Sequence, residues 1–135
     1  MRSMSYLLDT HTLIWAVTEP EKLSATARQI LSDPQNDVLV SAVSFWEIAL
    51  KHSIHKLTID GFAPDDFPKA TLDTGFRILD LTSSLTATYH KITATYHKDP
   101  FDRMLIWQAL LGNYRLISRD EEMSKCTSEG LQVIW

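Results

Sequence analysis

Val38-Leu39-Val40-Ser41-Ala42-Val43-Ser44-Phe45-Trp46-Glu47-Ile48-Ala49-Leu50 is the stretch on which the fold turns. Its first three residues are apolar, two of them β-branched, and they follow the turn-forming run Asp33-Pro34-Gln35-Asn36-Asp37. A run this short, with no polar alternation, reads as a strand covered on both faces, the habit of parallel sheets. From Ser44 to about Ile54 the pattern becomes helical and is apolar almost all round (Phe45, Trp46, Ile48, Ala49, Leu50), so this helix is expected to be buried. A strand that runs straight into a helix is half of a strand–helix–strand unit.

The same alternation extends in both directions. Tyr6-Leu7-Leu8 reads as a first strand, followed by a helix from His11 to Val17 that stops at Glu19-Pro20. Ser24 is placed to cap a helix running to about Leu31. Beyond a loop holding Gly61 and Pro64, residues near Asp65 to Thr74 form a helix that tolerates Pro68 only in its first turn, with Gly75 just past its end. Arg77-Ile78-Leu79 is a third strand and Leu85 to Lys91 a helix. Pro100 to Leu111 is a strongly apolar helix closed by Gly112, Leu116-Ile117 a fourth strand, and Gln132 to Ile134 a fifth. The expectation is one α/β domain spanning residues 1–135: three layers, with a mostly parallel sheet of four to five short strands flanked by helices and no linker.

Composition narrows the function. The 135 residues are 44% apolar and 22% charged, with four glycines and five prolines, a globular mix that needs no staples. Cys126 is the one cysteine, so the chain has no internal disulfide and no zinc-ligand spacing. No apolar run approaches a membrane span and the start lacks a signal core, so the cytoplasm is the expected compartment. Thirteen basic against 17 acidic residues give a net charge of −4, which argues against bulk electrostatic binding of nucleic acid. Any chemistry on nucleic acid therefore needs a local basic patch or a metal ion.

Four places set an acid against an apolar element. Asp9 directly follows the first strand, and Asp120 follows Leu116-Ile117-Ser118-Arg119; both fall on the carboxyl edge of the sheet, where ligands collect in open parallel sheets. Each also suits a helix N-cap, so a purely structural role stays open. Glu47 fits a capping box with Ser44, yet Val43, Glu47, Leu50 and Ile54 share one helical stripe, so a carboxylate points where apolar residues belong. A buried, unpartnered carboxylate is costly, which favours a metal or a cluster. In Asp99-Pro100-Phe101-Asp102, Asp99 is the N-cap and Asp102 the third helical residue, on the face of Leu105, Ile106 and Ala109. Carboxylates ~5 Å apart at an effective dielectric of about 20 repel by roughly 3 kcal/mol per pair. Such a group either takes up protons or binds a hard divalent cation, and oxygen-only ligation suits Mg²⁺ or Mn²⁺ rather than Zn²⁺.

Thr86-Ala87-Thr88-Tyr89-His90-Lys91 recurs as Thr93-Ala94-Thr95-Tyr96-His97-Lys98. Two copies make neither a coiled coil nor a solenoid, and the second runs into Asp99-Pro100, so the first is expected helical and the second mostly loop. His90 and His97 read as surface histidines. Trp15, Trp46, Trp107 and Phe101 sit at helical spacings and read as core or interface.

Taken in order, Leu7-Leu8-Asp9-Thr10-His11, Ser44-Phe45-Trp46-Glu47-Ile48-Ala49-Leu50-Lys51, His97-Lys98-Asp99-Pro100-Phe101-Asp102-Arg103-Met104-Leu105-Ile106 and Leu116-Ile117-Ser118-Arg119-Asp120 make the chain similar to a PIN domain of the VapC type, the toxin of a toxin–antitoxin pair. The likeness spans essentially the whole chain. It implies a PIN-like fold, a Mg²⁺- or Mn²⁺-dependent endoribonuclease, a cognate VapB-type antitoxin and a homodimer. Carried over by position, Asp9, Glu47 and Asp102 match the metal-site acids, Asp120 the fourth and more variable acid, and Asp99 the extra acid at the helix start. Ser118 falls where a small hydroxyl residue supports a ligand. Trp107 stands where a small residue is usual, and the threonine-rich repeat is foreign to the pattern.

On this reading Asp9 and Asp102 bind the metal directly, Glu47 orients a ligand or activates water, and Asp120 completes the site. Lys51, Lys98, Arg103 and Arg119 flank the acids and are candidates for contacts to RNA phosphates. Three other readings compete. An aspartate-based phosphatase wants a second Asp where His11 stands. A receiver-like module wants adjacent acids after the first strand, which Leu8-Asp9-Thr10 does not supply. A catalytically inactive acidic-pocket module that only binds a partner remains as well.

Overall fold

Five short strands, β1 (Ser5–Leu8), β2 (Asp37–Ser41), β3 (Arg77–Leu79), β4 (Arg115–Ile117) and β5 (Gln132–Ile134), lie in the order β3-β2-β1-β4-β5, each parallel to its neighbour. The computed structural model describes residues 4–92, 99–125 and 130–135. Helices α1 (Thr10–Thr18), α2 (Ala25–Ser32), α3 (Ala42–Ser53), α4 (Phe67–Asp73), α5 (Ser83–Ala87), α6 (Pro100–Gly112) and α7 (Glu121–Ser124) connect the strands. The chain is one α/β domain in three layers, as its strand–helix alternation implies.

The strands lack polar alternation because both faces are covered. Leu7, Leu39 and Leu116 point into one core with Leu105, Ile106 and Ala109 of α6 and Met123 of α7. Tyr6, Leu8, Val38, Val40 and Ile117 point the other way, onto Leu13 and Ile14 of α1, Ala27 of α2 and Phe67 of α4. α3 feeds both cores, with Val43 in the first and Ile48 in the second. The strand order reverses at β1: β2 and β3 lie to one side, β4 and β5 to the other. Loops leaving β1 and β4 therefore diverge at their carboxyl ends, which opens a crevice there.

α3 differs from its expected form in three ways. α3 starts at Ala42 rather than near Ser44, and Ser41 is its cap, accepting from the Val43 N–H at 3.0 Å. Ser41 also donates to Gln108 Oε1 of α6, a tertiary bond that no local pattern announces. Ser44 thus lies inside the helix, and its capping box with Glu47 does not form. α3 is also not buried all round: Trp46, Leu50 and Ile54 are exposed, and Trp46 meets Phe101 edge-on at 5.0 Å. Of the proposed stripe, Val43 and Glu47 face inward while Leu50 and Ile54 face out.

The Leu85–Lys91 helix breaks at Thr88 into α5 and a 3₁₀ turn over Tyr89–Lys91. Thr86 and Thr88 hydroxyls donate back to carbonyls of the preceding turn, competing with the helical ladder. Gly112 is the last residue of α6, not its stop; Asn113 closes the helix at φ 54°. A Cβ on Gly112 would sit 2.2 Å from the Tyr114 ring, so glycine serves close packing. His90 is exposed, as expected. The second repeat copy with His97 and Lys98, and Cys126, lie outside the described residues.

Leu105 is fully buried beneath the sheet, whereas Leu72 is 58% exposed. Leu105→Ala is expected to cost about 2–5 kcal/mol in urea unfolding, and Leu72→Ala less than about 0.5 kcal/mol.

Candidate functional site

The carboxyl edge of the sheet collects acids because each strand hands its chain to a helix that needs a cap. β1 ends at Leu8, and Asp9 caps α1, its Oδ1 accepting the Thr12 N–H at 2.8 Å. Oδ2 accepts the Ser118 hydroxyl at 2.5 Å, from the segment after β4. Ser118 in turn accepts the Asp120 N–H at 3.0 Å, and Asp120 caps α7 through the Glu122 N–H at 2.9 Å. Asp9 is also tied by its own N–H to the Ile117 carbonyl. Burial pushes the Asp9 carboxyl above the ordinary carboxylate range, against the pull of its Ser118 and Thr12 hydrogen bonds.

Glu47 arrives from α3 and is 4% exposed. Thr10 donates to its Oε1 at 2.6 Å and lies 3.0 Å from Ser44 Oγ. Its Oε2 is ion-paired with Lys51 one turn on. The Lys51 ammonium is held above its usual range despite partial burial, because it bonds Glu47 and feels Asp99 and Asp102. At the start of α6, Asp99 Oδ1 accepts the N–H groups of Phe101 (2.9 Å) and Asp102 (3.1 Å).

Asp102 is where these charges add up. Desolvation, then the carboxylates of Asp99, Glu47, Asp9 and Asp120, push its carboxyl up to about 8. All five acids line one cleft of about 430 Å³, together with Thr10, His11, Trp15, Lys51 and Arg119. The cap role and the cleft role are therefore not alternatives for Asp9, Asp99 and Asp120; each caps a helix at the cleft wall.

Such an all-oxygen donor set suits a hard divalent cation rather than a soft one. Among the described residues no three His, Cys, Asp or Glu side chains stand in a ready-made ligand grouping. The oxygens of Asp9 and Glu47 are engaged instead by Thr12, Ser118, Thr10 and Lys51.

Of the basic candidates, Lys51 and Arg119 reach the cleft. Arg103 lies with its guanidinium 5.7 Å from the Tyr89 ring centroid and is not part of the cleft wall. Lys98 lies outside the described residues. Sequence reasoning passed over Thr10, although a hydroxyl residue directly after the strand-end aspartate was a usable signal. Trp15 packs against the second core, as its helical spacing implies, and its half-buried indole also forms part of the cleft wall. A larger cavity of about 680 Å³ lies at the amino ends of β2 and β3, walled by Leu23, Leu31, Val38 and Phe76; it gathers no carboxylate cluster.

The PIN domain family model matches residues 6–127. The chain belongs to the PIN domain family. A relative, ribonuclease VapC22 of Mycobacterium tuberculosis, is 26% identical over 117 residues, 87% of this chain and 88% of that protein. The PIN fold recurs in VapBC2 from Rickettsia felis bound to a DNA fragment from its promoter, at TM-score 0.65 and 15% identity over 97% of this chain and 98% of that one. A toxin–antitoxin complex from Klebsiella pneumoniae gives TM-score 0.59 and 19% identity, covering 96% of each chain.

The charge on Asp102 sets a pH test of this PIN domain. Between about pH 4 and 8 the folded chain keeps a proton that the unfolded chain releases, so this residue's contribution to stability falls as pH rises through that window. In chelator, Asp102→Asn is expected to melt higher than the parent at pH 8 by roughly 3–6 °C, the effect of about 1 kcal/mol in a domain this size. The difference should shrink toward pH 4 in thermal scans.

Proposed function

We propose that the chain, residues 1–135 as one PIN domain, is a VapC-type toxin: a Mg²⁺- or Mn²⁺-dependent endoribonuclease that hydrolyses RNA phosphodiester bonds. It acts in the cytoplasm as a homodimer and is restrained by a VapB-type antitoxin. The observation that carries the reading is the convergence of Asp9, Glu47, Asp99, Asp102 and Asp120 on one cleft, where burial and then the other four carboxylates push the Asp102 carboxyl up to about 8. The name of the mycobacterial relative supports the ribonuclease activity, and the neighbours that are toxin–antitoxin complexes support an antitoxin partner. The exposed apolar stripe Trp46, Leu50 and Ile54 on α3 supports a partner-covered surface. No helix among the described residues is long and apolar enough to cross a membrane.

Asp9 and Asp102 would hold the ion, with Glu47 orienting a ligand or accepting a proton from water, and Asp120 closing the site. When bound, the ion supplies acidification of the attacking water and neutralisation of charge at the phosphate. The protein's own part is positioning. Ser118 fixes Asp9 Oδ2, Thr10 fixes Glu47 Oε1, and the α6 amides fix Asp99. Lys51 and Arg119 offer positive charge to flanking phosphates at a cleft that would otherwise repel RNA.

The test is cleavage of RNA with Mg²⁺ or Mn²⁺ against chelator. Cleavage should require the ion. Ser118→Ala should lose the roughly 10–100-fold typical of removing a ligand's supporting hydrogen bond, and Asp9→Asn should lose more. Equal cleavage by Asp9→Asn and the parent, or none by the parent with ion, overturns the assignment.

A further inference from the structure

Two side chains that the chemistry above leaves unused, His11 and Trp15, stand one turn apart on α1 and wall two cavities at once. On one side is the acidic cleft. On the other is a cavity of about 440 Å³ that also meets Thr18, Glu19, Thr58, Asp60 and Phe62. That volume lies within the roughly 300–1,000 Å³ of sites that hold small organic ligands. Trp15 is clamped by tilted contacts to His11 and Trp135, each 5.8 Å between centroids, and by the Arg119 guanidinium at 6.0 Å. The indole is half-buried, and Phe62 lines the same cavity.

We infer that this second cavity is a nucleobase subsite that takes a guanine adjoining the cleaved phosphate. The inference rests on the ribonuclease reading and deepens it. A strand whose phosphate lies among the acids has its neighbouring base within reach of Trp15, and aromatic side chains are what unstacked RNA bases bind. Arg119, at the cleft and over the same indole, meets the phosphate between the two sites. The polar wall selects the base. Glu19 and Asp60 present carboxylates, and the Thr18 hydroxyl donates its proton to the Ile14 carbonyl, leaving only acceptor capacity. Glu19 is itself bridged to Lys22 at 3.0 Å, so Asp60 is the carboxylate best placed to act. Asp60 sits with Gly61 in a tight turn closed by the Phe62 N–H on the Ile59 carbonyl, and Gly61 takes the φ of +80° that the turn requires. Thr58, His11 and the Trp15 indole N–H also line the cavity and can donate, so the discrimination rests on the Asp60 carboxylate, which repels a phosphate and takes donors from a base. Guanine alone offers two adjacent donors, N1–H and the exocyclic amine, which a carboxylate takes together; uracil offers one donor flanked by two carbonyls.

The test uses the full chain and a randomised oligoribonucleotide pool with Mg²⁺, the cut ends being sequenced. Guanine over uracil at one position beside the cut should be favoured about ten-fold, toward the lower end of what a bidentate pair discriminates. Asp60→Asn should bring that ratio below about two-fold, while the remote surface change Asp73→Asn leaves it intact. Trp15→Leu should raise KM for all sequences by about ten-fold, the effect of one lost stacking contact. In parallel, guanosine and uridine monophosphates are titrated while the Trp15 indole N–H is followed by NMR; the guanine nucleotide should shift it and Asp60→Asn should abolish the shift. Cleavage without base preference, with an unmoved Trp15 signal, overturns the subsite and leaves the nuclease standing. A guanine-selective, Asp60-dependent shift in a chain that cuts no RNA upholds the subsite and removes the nuclease.

Discussion

Mutual repulsion among carboxylates at one end of a parallel sheet is the constraint around which the rest of this protein is arranged. Asp102 carries the result, its carboxyl pushed up to about 8 by burial and by four neighbouring acids. No fold gathers such a group for stability, since replacing it with a neutral residue of the same shape relieves the strain. What keeps the acids together is a set of specific restraints: helix amides on Asp9, Asp99 and Asp120, hydroxyls on Asp9 and Glu47, and one ammonium on Glu47.

Those restraints follow from topology. In a parallel sheet every strand ends on the same edge and every following helix begins there, with unsatisfied N–H groups that an aspartate side chain can accept from. Asp9 after β1 and Asp120 beyond β4 are caps, and the reversal of strand order at β1 makes the space between them a cleft. One oxygen of Asp9 caps its helix while the other ties to Ser118 across the sheet. Local structure and site geometry thus use the same atoms. The stabilising share of each acid offsets part of the cost of crowding them.

Much of this was legible along the chain. Tyr6-Leu7-Leu8, Val38-Leu39-Val40 and Leu116-Ile117 read as strands buried on both faces, and Asp99-Pro100 announced the start of α6, because these signals depend on neighbours in sequence. The acids were legible for the same reason: Asp9, Asp99 and Asp120 stand at the ends of apolar elements, and Glu47 and Asp102 on apolar helical faces. The start of α3 was not. Ser41 and Ser44 are both competent caps, and the choice rests on Gln108, sixty-seven residues away, which binds Ser41. Nor was the face that α3 exposes: the stripe Val43, Glu47, Leu50 and Ile54 holds only for its first half, and contact with two cores decided that Trp46, Leu50 and Ile54 face outward.

The amino-acid sequence by itself determined the alternation of strand and helix, the parallel sheet, and which acids stand at its carboxyl edge; these follow from hydrophobic period and capping chemistry, which act over a few residues. Only the tertiary structure decided that Thr10 and Lys51 hold the two oxygens of Glu47, that Arg119 reaches the cleft while Arg103 lies against Tyr89, and that Trp15 divides the acidic cleft from a second cavity. Apart from the i,i+4 Glu47–Lys51 pair, which helical spacing permits, those contacts join segments far apart in the chain or depend on the direction a side chain takes once its helix is docked, and neither is encoded in local spacing.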